Sequence, residues 1–172
     1  EKKKNVAQKI DIITPKELIK LNTQTTADVS TLSGKVFVQK SQQGGGSPVI
    51  RGFEASRVLL MIDGVRLNNA IYRSGHLQNV ITVDNNMLNR VEILSGPAST
   101  LYGSDALGGV VMMQTKNPKL APFSEKLKLT SANTLARFST ANKEKTLSAG
   151  FGFGSKKWGT LTNISFSDYD NL

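Results

Sequence analysis

The sequence is 172 residues long, 38% hydrophobic, free of cysteine and carries a net charge of +9. That length allows one ordinary domain or one domain plus a fragment, and the missing cysteines exclude disulfides and thiolate metal sites. No run approaches the roughly 18 apolar residues of a membrane-spanning helix, which leaves surface association or a β-barrel as the routes to a membrane.

The charge is dispersed, with fourteen basic against nine acidic residues up to position 118 and eight against four beyond it. Only Lys2, Lys3 and Lys4 form a run, so no nucleic-acid partner is expected. Glu1 and the three lysines lack an apolar stretch, so an export signal is expected to have been removed or to lie upstream. Residues 8–13 read as a short strand. Thr14, Pro15 and Glu17 then form a capping box with proline at the first helical position, predicting a helix through Leu21. Residues 26–32 predict a second, shorter helix ended by Ser33 and Gly34, and the alternation at 35–40 predicts a strand covered in part on both faces.

The glycine-rich stretch 41–47 lacks the Gly-Lys-Ser/Thr of a phosphate loop and is followed by a strand, so it reads as a flexible turn. The apolar run at 58–62 is a buried strand, and Asp63-Gly64 after it signals a hairpin. Residues 67–86 form a long polar segment holding His76, the only histidine. Such a segment is a natural binding loop. Asp84 caps a short helical turn through Met87 and Leu88.

Residues 90–113 read RVEILSGPASTLYGSDALGGVVMM. The period is that of a strand broken at Gly96-Pro97, then one helical turn, a glycine-rich bend and a second strand. Gly52, Gly64, Gly96, Gly103, Gly108 and Gly109, with Pro97, mark turns or close backbone approaches. Beyond Pro118 the texture changes to three strand-length segments, 127–138, 146–153 and 158–166. In the second, Leu147, Ala149, Phe151 and Phe153 oppose Ser148, Gly150 and Gly152; in the third, Trp158, Thr160, Thr162, Ile164 and Phe166 oppose Gly159, Asn163, Ser165 and Ser167. Apolar-out, polar-in strands of about ten residues are the pattern of an outer-membrane barrel, and one sheet of a soluble domain is the alternative.

No catalytic constellation emerges. Residues 103–108 are not a nucleophile elbow, no carboxylates pair, and the lone histidine has no triad partners, so enzymatic activity is not expected. Arg51 and Arg90 stand in or beside apolar strands, where a cation is costly unless a carboxylate meets it. Glu92 and Asp63 are the partners the sequence offers.

The run at 90–113, with PVIRGF at 48–53 and RVLLMIDGVR at 57–66 before it, resembles the plug domain of TonB-dependent outer-membrane receptors, whose second motif has the form R-V-E-[IV]-x-x-G-P-x-S-x-x-Y-G-x-x-A-x-G-G-V-[IV]. The resemblance implies an α+β plug at residues 1–120, a small mixed sheet with short helices, followed at 121–172 by the first antiparallel strands of an incomplete transmembrane β-barrel. Three strands cannot close a barrel, which needs about eight, and the family's barrel has about 22 and a plugged lumen. The remaining strands are expected from a second chain or a further stretch of this one. The resemblance also implies residence in the Gram-negative outer membrane among its lipids and energy-coupled uptake. TonB and its inner-membrane motor act through a TonB box expected upstream of Glu1.

Arg51, Arg90 and Glu92 match motif positions that seat the plug by salt bridges within it and to the barrel wall. Ser74, Gly75, His76 and Leu77 resemble the Gly-His-Leu of the haem and haemoglobin receptor branch, which implies His76 as an axial ligand of haem iron, Tyr72 as a second ligand or stacking partner, and a haem-carrying surface protein as a further partner. Haem would be transported ligand rather than permanent cofactor. The alternatives are another large ligand, such as a siderophore, other metal complex, cobalamin or oligomeric nutrient, or a soluble plug-like binding module.

Overall fold

The computed structural model describes residues 9–21, 23, 25–31, 33–41, 45–54, 57–67, 83–96, 99–122, 126–140 and 143–170. The chain divides into two compact units, Glu1–Thr115 and Lys116–Leu172.

In the first unit, β1 (Lys9–Ile13) leads into α1 (Pro15–Leu21). The capping box forms: Thr14 N donates to Glu17 Oε2 at 2.7 Å, and Glu17 N donates to Thr14 Oγ1 at 3.4 Å. The Thr14 backbone amide foremost, and then the Thr14 hydroxyl, which donates to Glu17 Oε2 at 2.8 Å, hold the exposed Glu17 carboxyl below its ordinary pKa. A second box starts α2 (Thr26–Thr31), where Thr25 N donates to Asp28 Oδ2 at 3.2 Å and Asp28 N returns to Thr25 Oγ1 at 3.2 Å.

Next come β2 (Val36–Ser41) and β3 (Gly45–Ile50), paired antiparallel. Two expectations are corrected here. Alternation predicts cover on both faces of β2, yet Val36 and Val38 are buried while Phe37 is 68% exposed. Glycine content predicts a flexible turn at 41–47, yet Gly45, Gly46 and Ser47 extend β3 opposite Ser41, Lys40 and Gln39. A Cβ on Gly46 would come within 2.5 Å of Val38 Cγ1, so this glycine serves close strand packing.

The main sheet adds β4 (Val58–Ile62), β5 (Val65–Arg66), β6 (Leu88–Ser95) and β7 (Gly109–Thr115). Its order is β1-β6-β7-β4-β5, with β4 and β7 parallel and the other pairs antiparallel. β4 is apolar without alternation because both sides of the sheet are covered. On one side Val58, Leu60, Val91, Ile93, Val111 and Met113 pack with Val29 of α2 and with Val36, Val38 and Ile50 of the small sheet. On the other, Leu59, Leu94 and Val110 pack with Ala106 and Tyr102. Full burial of a side chain such as Leu59 or Ile93 stabilises by about 1.5–3 kcal/mol, so the two β6–β7 motif strands carry much of this core.

The second unit is a sheet of three antiparallel strands, β8 (Lys128–Ser139), β9 (Glu144–Gly154) and β10 (Gly159–Asp168), with β9 central. Its polarity is inverted relative to a soluble sheet. Leu147, Phe151 and Phe153 are exposed, as are Phe138, Ile164 and Phe166 of the flanking strands, whereas Glu144, Thr146 and Ser148 are buried. On the polar face Arg137 Nε donates to Glu144 Oε1 at 2.9 Å, Thr146 Oγ1 lies 2.7 Å from the same oxygen, and Asn163 Nδ2 donates to Ser148 Oγ at 3.2 Å. Gly150 leaves room for the flanking side chains to close over β9: a Cβ there would stand 2.5 Å from Asn133 Oδ1 and 2.8 Å from Asn163 Oδ1.

Candidate functional site

The loop carrying Tyr72 and His76 lies outside the described residues, but both of its stems are fixed. At its start, Asp63 and Gly64 turn β4 into β5 with φ values of +47° and +84°. Positive φ at both central residues is the geometry of a type I′ hairpin, which the Asp-Gly pair predicts. Leu67 N then donates to Leu60 O at 2.9 Å. Asp63 also secures the end of β7, its carboxylate accepting from Thr115 N at 2.9 Å and from Thr115 Oγ1 at 2.7 Å. At the rear stem, buried Thr26 donates through Oγ1 to Val83 O at 2.5 Å, and Asn85 Nδ2 donates to Thr23 O at 2.9 Å. Asp84 caps a 3-10 turn (Asn85–Met87), accepting from Asn86 N at 2.9 Å, before β6 begins.

The second motif builds a rigid platform on the other side of the sheet. α3 (Ser99–Tyr102) and a 3-10 turn (Ser104–Ala106) connect β6 to β7. Gly109 permits this connection, because a Cβ on it would meet Leu94 O at 2.5 Å and Ile50 Cδ1 at 3.1 Å. Gly108 lies equally close to Phe53, and its N–H donates to Arg57 O at 2.8 Å. Gly52, Gly64, Gly96 and Gly103 all have positive φ, between +80° and +114°. Pro97 lies outside the described residues. Arg66, which sequence reading did not single out, reaches across to this platform: its guanidinium donates to Tyr102 O and stands 3.7 Å from Asp105 Oδ2.

Of the charged motif residues, Arg90 and Glu92 are brought together and Arg51 stands apart. Arg90 Nε sits 3.0 Å from Glu92 Oε1 and donates to Gln114 Oε1 at 2.8 Å, a half-exposed group at the end of β6 and β7. Arg51 is elsewhere, directly beyond the end of β3. It is exposed, with φ of +52°, followed by Gly52 at +80°, and reciprocal bonds of 2.9 Å join Ile50 and Phe53 on either side. Arg51-Gly52 is therefore the tip of a two-residue type I′ turn. A non-glycine residue in this conformation costs about 1–2 kcal/mol, and Asn or Asp would fit it better. Among the described residues no ion pair includes Arg51.

A family model for the TonB-dependent receptor plug domain matches residues 2–110. The chain belongs to that family. Its place is the outer membrane of Gram-negative bacteria, and the family is one of receptors rather than enzymes. The chain is 39% identical over 97 residues to the vitamin B12 transporter BtuB of Vibrio vulnificus strain CMCP6, covering 54% of this chain and 15% of the relative. With the protein of the same name from strain YJ016 it shares 31% over 116 residues, or 64% of this chain and 18% of the other.

Solved TonB-dependent receptors share the fold across both units. A double mutant of the Serratia marcescens hemophore receptor HasR, in complex with its hemophore HasA and heme, matches 94% of this chain and 24% of its own with a TM-score of 0.72 at 20% identity. The alcaligin outer-membrane receptor FauA of Bordetella pertussis matches 96% of this chain and 27% of its own, with a TM-score of 0.70 at 15% identity. The chain thus spans less than a fifth of these curated relatives and about a quarter of these solved chains. That coverage extends the shared fold beyond residue 110 into the three-stranded sheet, which is left unclosed here.

Proposed function

We propose that the chain is the plug, residues 1–120, and the first barrel strands, 121–172, of a TonB-dependent transporter that imports a large metal-bearing ligand across the outer membrane. The observation that carries this reading is the succession of a plug sheet by a sheet with its apolar face exposed and its polar face buried. A soluble plug-like module has no use for that inversion. A lumen filled by a separately folded domain can be opened by shifting the domain, without tearing a continuous core, and TonB with its inner-membrane motor would supply the pull.

Within this reading haem is the ligand, held by His76 on the loop whose stems Leu67 and Val83 anchor. Neutral imidazole is an ordinary axial ligand of haem iron, and Tyr72 is placed four residues away to ligate or stack. A haem-carrying surface protein would then be the donor. Arg51 would seat the plug: a guanidinium kept in an unfavourable turn conformation, exposed and without a carboxylate among the described residues, is suited to reach the barrel wall. Arg90 with Glu92 would do the same from the half-exposed end of the sheet. Cobalamin is the second reading, favoured by the sequence relatives that bear the vitamin B12 transporter name.

The full-length receptor, purified in detergent and titrated with haemin and with cyanocobalamin, separates these readings. A new ligated-haem absorbance band that disappears in His76→Ala, with the fold retained, is the expected result. Cobalamin binding without a haemin response would move the assignment to the second reading. TonB-independent uptake of either would contradict energy-coupled transport.

A further inference from the structure

We infer that the end of the barrel sheet bearing the β9–β10 turn is a binding surface for anionic phospholipid headgroups, phosphatidylglycerol in particular; this rests on the transmembrane reading of the sheet. Strand register brings Lys128 of β8, Gly154 of β9 and Gly159 of β10 side by side at this end. Lys156 and Lys157 occupy the turn between the last two, both exposed. The segment before β8 is tied to the same place, since Ala121 N donates to Ser155 O at 3.2 Å and a Cβ on Gly159 would stand 3.3 Å from Lys119 O. Lys119, Lys128, Lys156 and Lys157 therefore converge, all with exposed side chains.

The opposite end differs in kind. The acidic residues of this unit among those described, Glu144, Asp168 and Asp170, lie at or beyond the Ser139–Glu144 and Lys145–Asp168 pairs, a full length of β9 away. There they meet cations: Lys143 Nζ lies 2.8 Å from Asp170 Oδ2, and Arg137 is bonded to Glu144. One end carries internal ion pairs, and at the other the described residues include lysines and no carboxylate. Lysines gathered without carboxylates repel one another and attract anions.

The neighbouring surface decides which anion. Leu129 and Phe153 are cross-strand partners on the exposed apolar face, 56% and 39% exposed, and Trp158, 54% exposed, lies two residues before Thr160, the β10 partner of Phe153. An indole at the edge of an apolar band is at home at the membrane–water boundary. Lys128 pairs with Gly154 on the polar face, so it is the stems of Lys156 and Lys157, in the turn at the strand ends, that lie along such a band while their ammonium groups reach the phosphates beyond it. An acidic soluble protein would match the lysines but not the apolar collar; a phospholipid leaflet matches both.

The test uses the full-length receptor, delipidated in detergent and then exposed to phosphatidylglycerol or to zwitterionic phosphatidylcholine, with retained lipids counted by native mass spectrometry. The wild type should prefer phosphatidylglycerol, and the combined variant Lys119→Gln, Lys128→Gln, Lys156→Gln, Lys157→Gln should lose about tenfold or more in phosphatidylglycerol affinity with phosphatidylcholine unchanged. Lys156→Gln with Lys157→Gln alone, confined to the exposed turn, should give an intermediate loss and keeps the test independent of folding. Lys143→Gln at the other end should change nothing. Equal phosphatidylglycerol affinity in wild type and variants would overturn the inference and assign the lysines to an acidic protein. Retention of neither lipid would overturn the membrane reading of the sheet, and this inference with it.

Discussion

The two units bury opposite kinds of side chain. In the first, β4, β6 and β7 are covered on both faces by apolar groups such as Leu59, Leu60 and Val111, and the charged residues lie at the edges. In the second, β9 buries Glu144, Thr146 and Ser148 and presents Leu147, Phe151 and Phe153 outward. The first sheet is sandwiched between two apolar layers and hides both faces, whereas the alternation of the second turns its apolar side outward, and hydrocarbon is the medium that suits that exposed face. Polar residues on the inner face must then satisfy one another, as Arg137, Glu144 and Thr146 do.

The sharpest way to test that contrast is to break the inner polar group. Glu144→Ala leaves the Arg137 guanidinium buried without its partner and should destabilise the barrel hairpin by about 3–5 kcal/mol; replacing both residues by apolar ones of similar volume should recover most of that loss. Denaturation of the refolded full-length receptor reads both. Phe151→Arg attacks the outer face. It should cost about 2–4 kcal/mol in a bilayer if the side chain is near the midplane, and little in the same measurement if the face meets water.

In the plug, Gly109→Ala introduces a Cβ 2.5 Å from Leu94 O, and the backbone there has φ of +152°. An expected loss of about 2–4 kcal/mol should appear as faster amide exchange in β6 and β7 with β8–β10 unaffected; a uniform change across both units would show that they unfold together. The smallest effect belongs to the helix cap. Thr14→Ala should weaken α1 by about 1 kcal/mol at neutral pH. The folded pKa of Glu17 is lowered, so its contribution is present above its unfolded value and is lost as pH falls through the folded one. The gap in α1 amide protection between wild type and variant should therefore narrow as pH falls below the ordinary range of a glutamate carboxyl.

Much of this architecture is legible in the sequence because its signals are local. The capping box at Thr14 and Glu17, the Asp63-Gly64 turn, the Asp84 cap and the β9 alternation each depend on neighbours within a few residues. What escaped reading depends on distant partners. Gly45-Gly46 looks like a loop until Val38 and Ala27 are seen to press against it. Phe37 looks half-covered until the small sheet proves to have one buried face. Arg66 is one arginine among several until Tyr102 and Asp105, more than thirty residues away, meet it. The motif glycines were legible as close approaches, but not what they approach.

The measurement that bears most directly on the inverted sheet is a cysteine scan of β9 in the full-length receptor reconstituted in bilayers, to which these 172 residues contribute no native cysteine. Spin labels placed singly by Leu147→Cys, Ser148→Cys, Ala149→Cys, Gly150→Cys, Phe151→Cys and Phe153→Cys would be probed with oxygen, which concentrates in hydrocarbon, and with a water-soluble relaxation agent. The account predicts a two-residue period, with oxygen accessibility high at 147, 149, 151 and 153 and low at 148 and 150. Water-agent accessibility at 147, 151 and 153 equal to that of an exposed loop would contradict it.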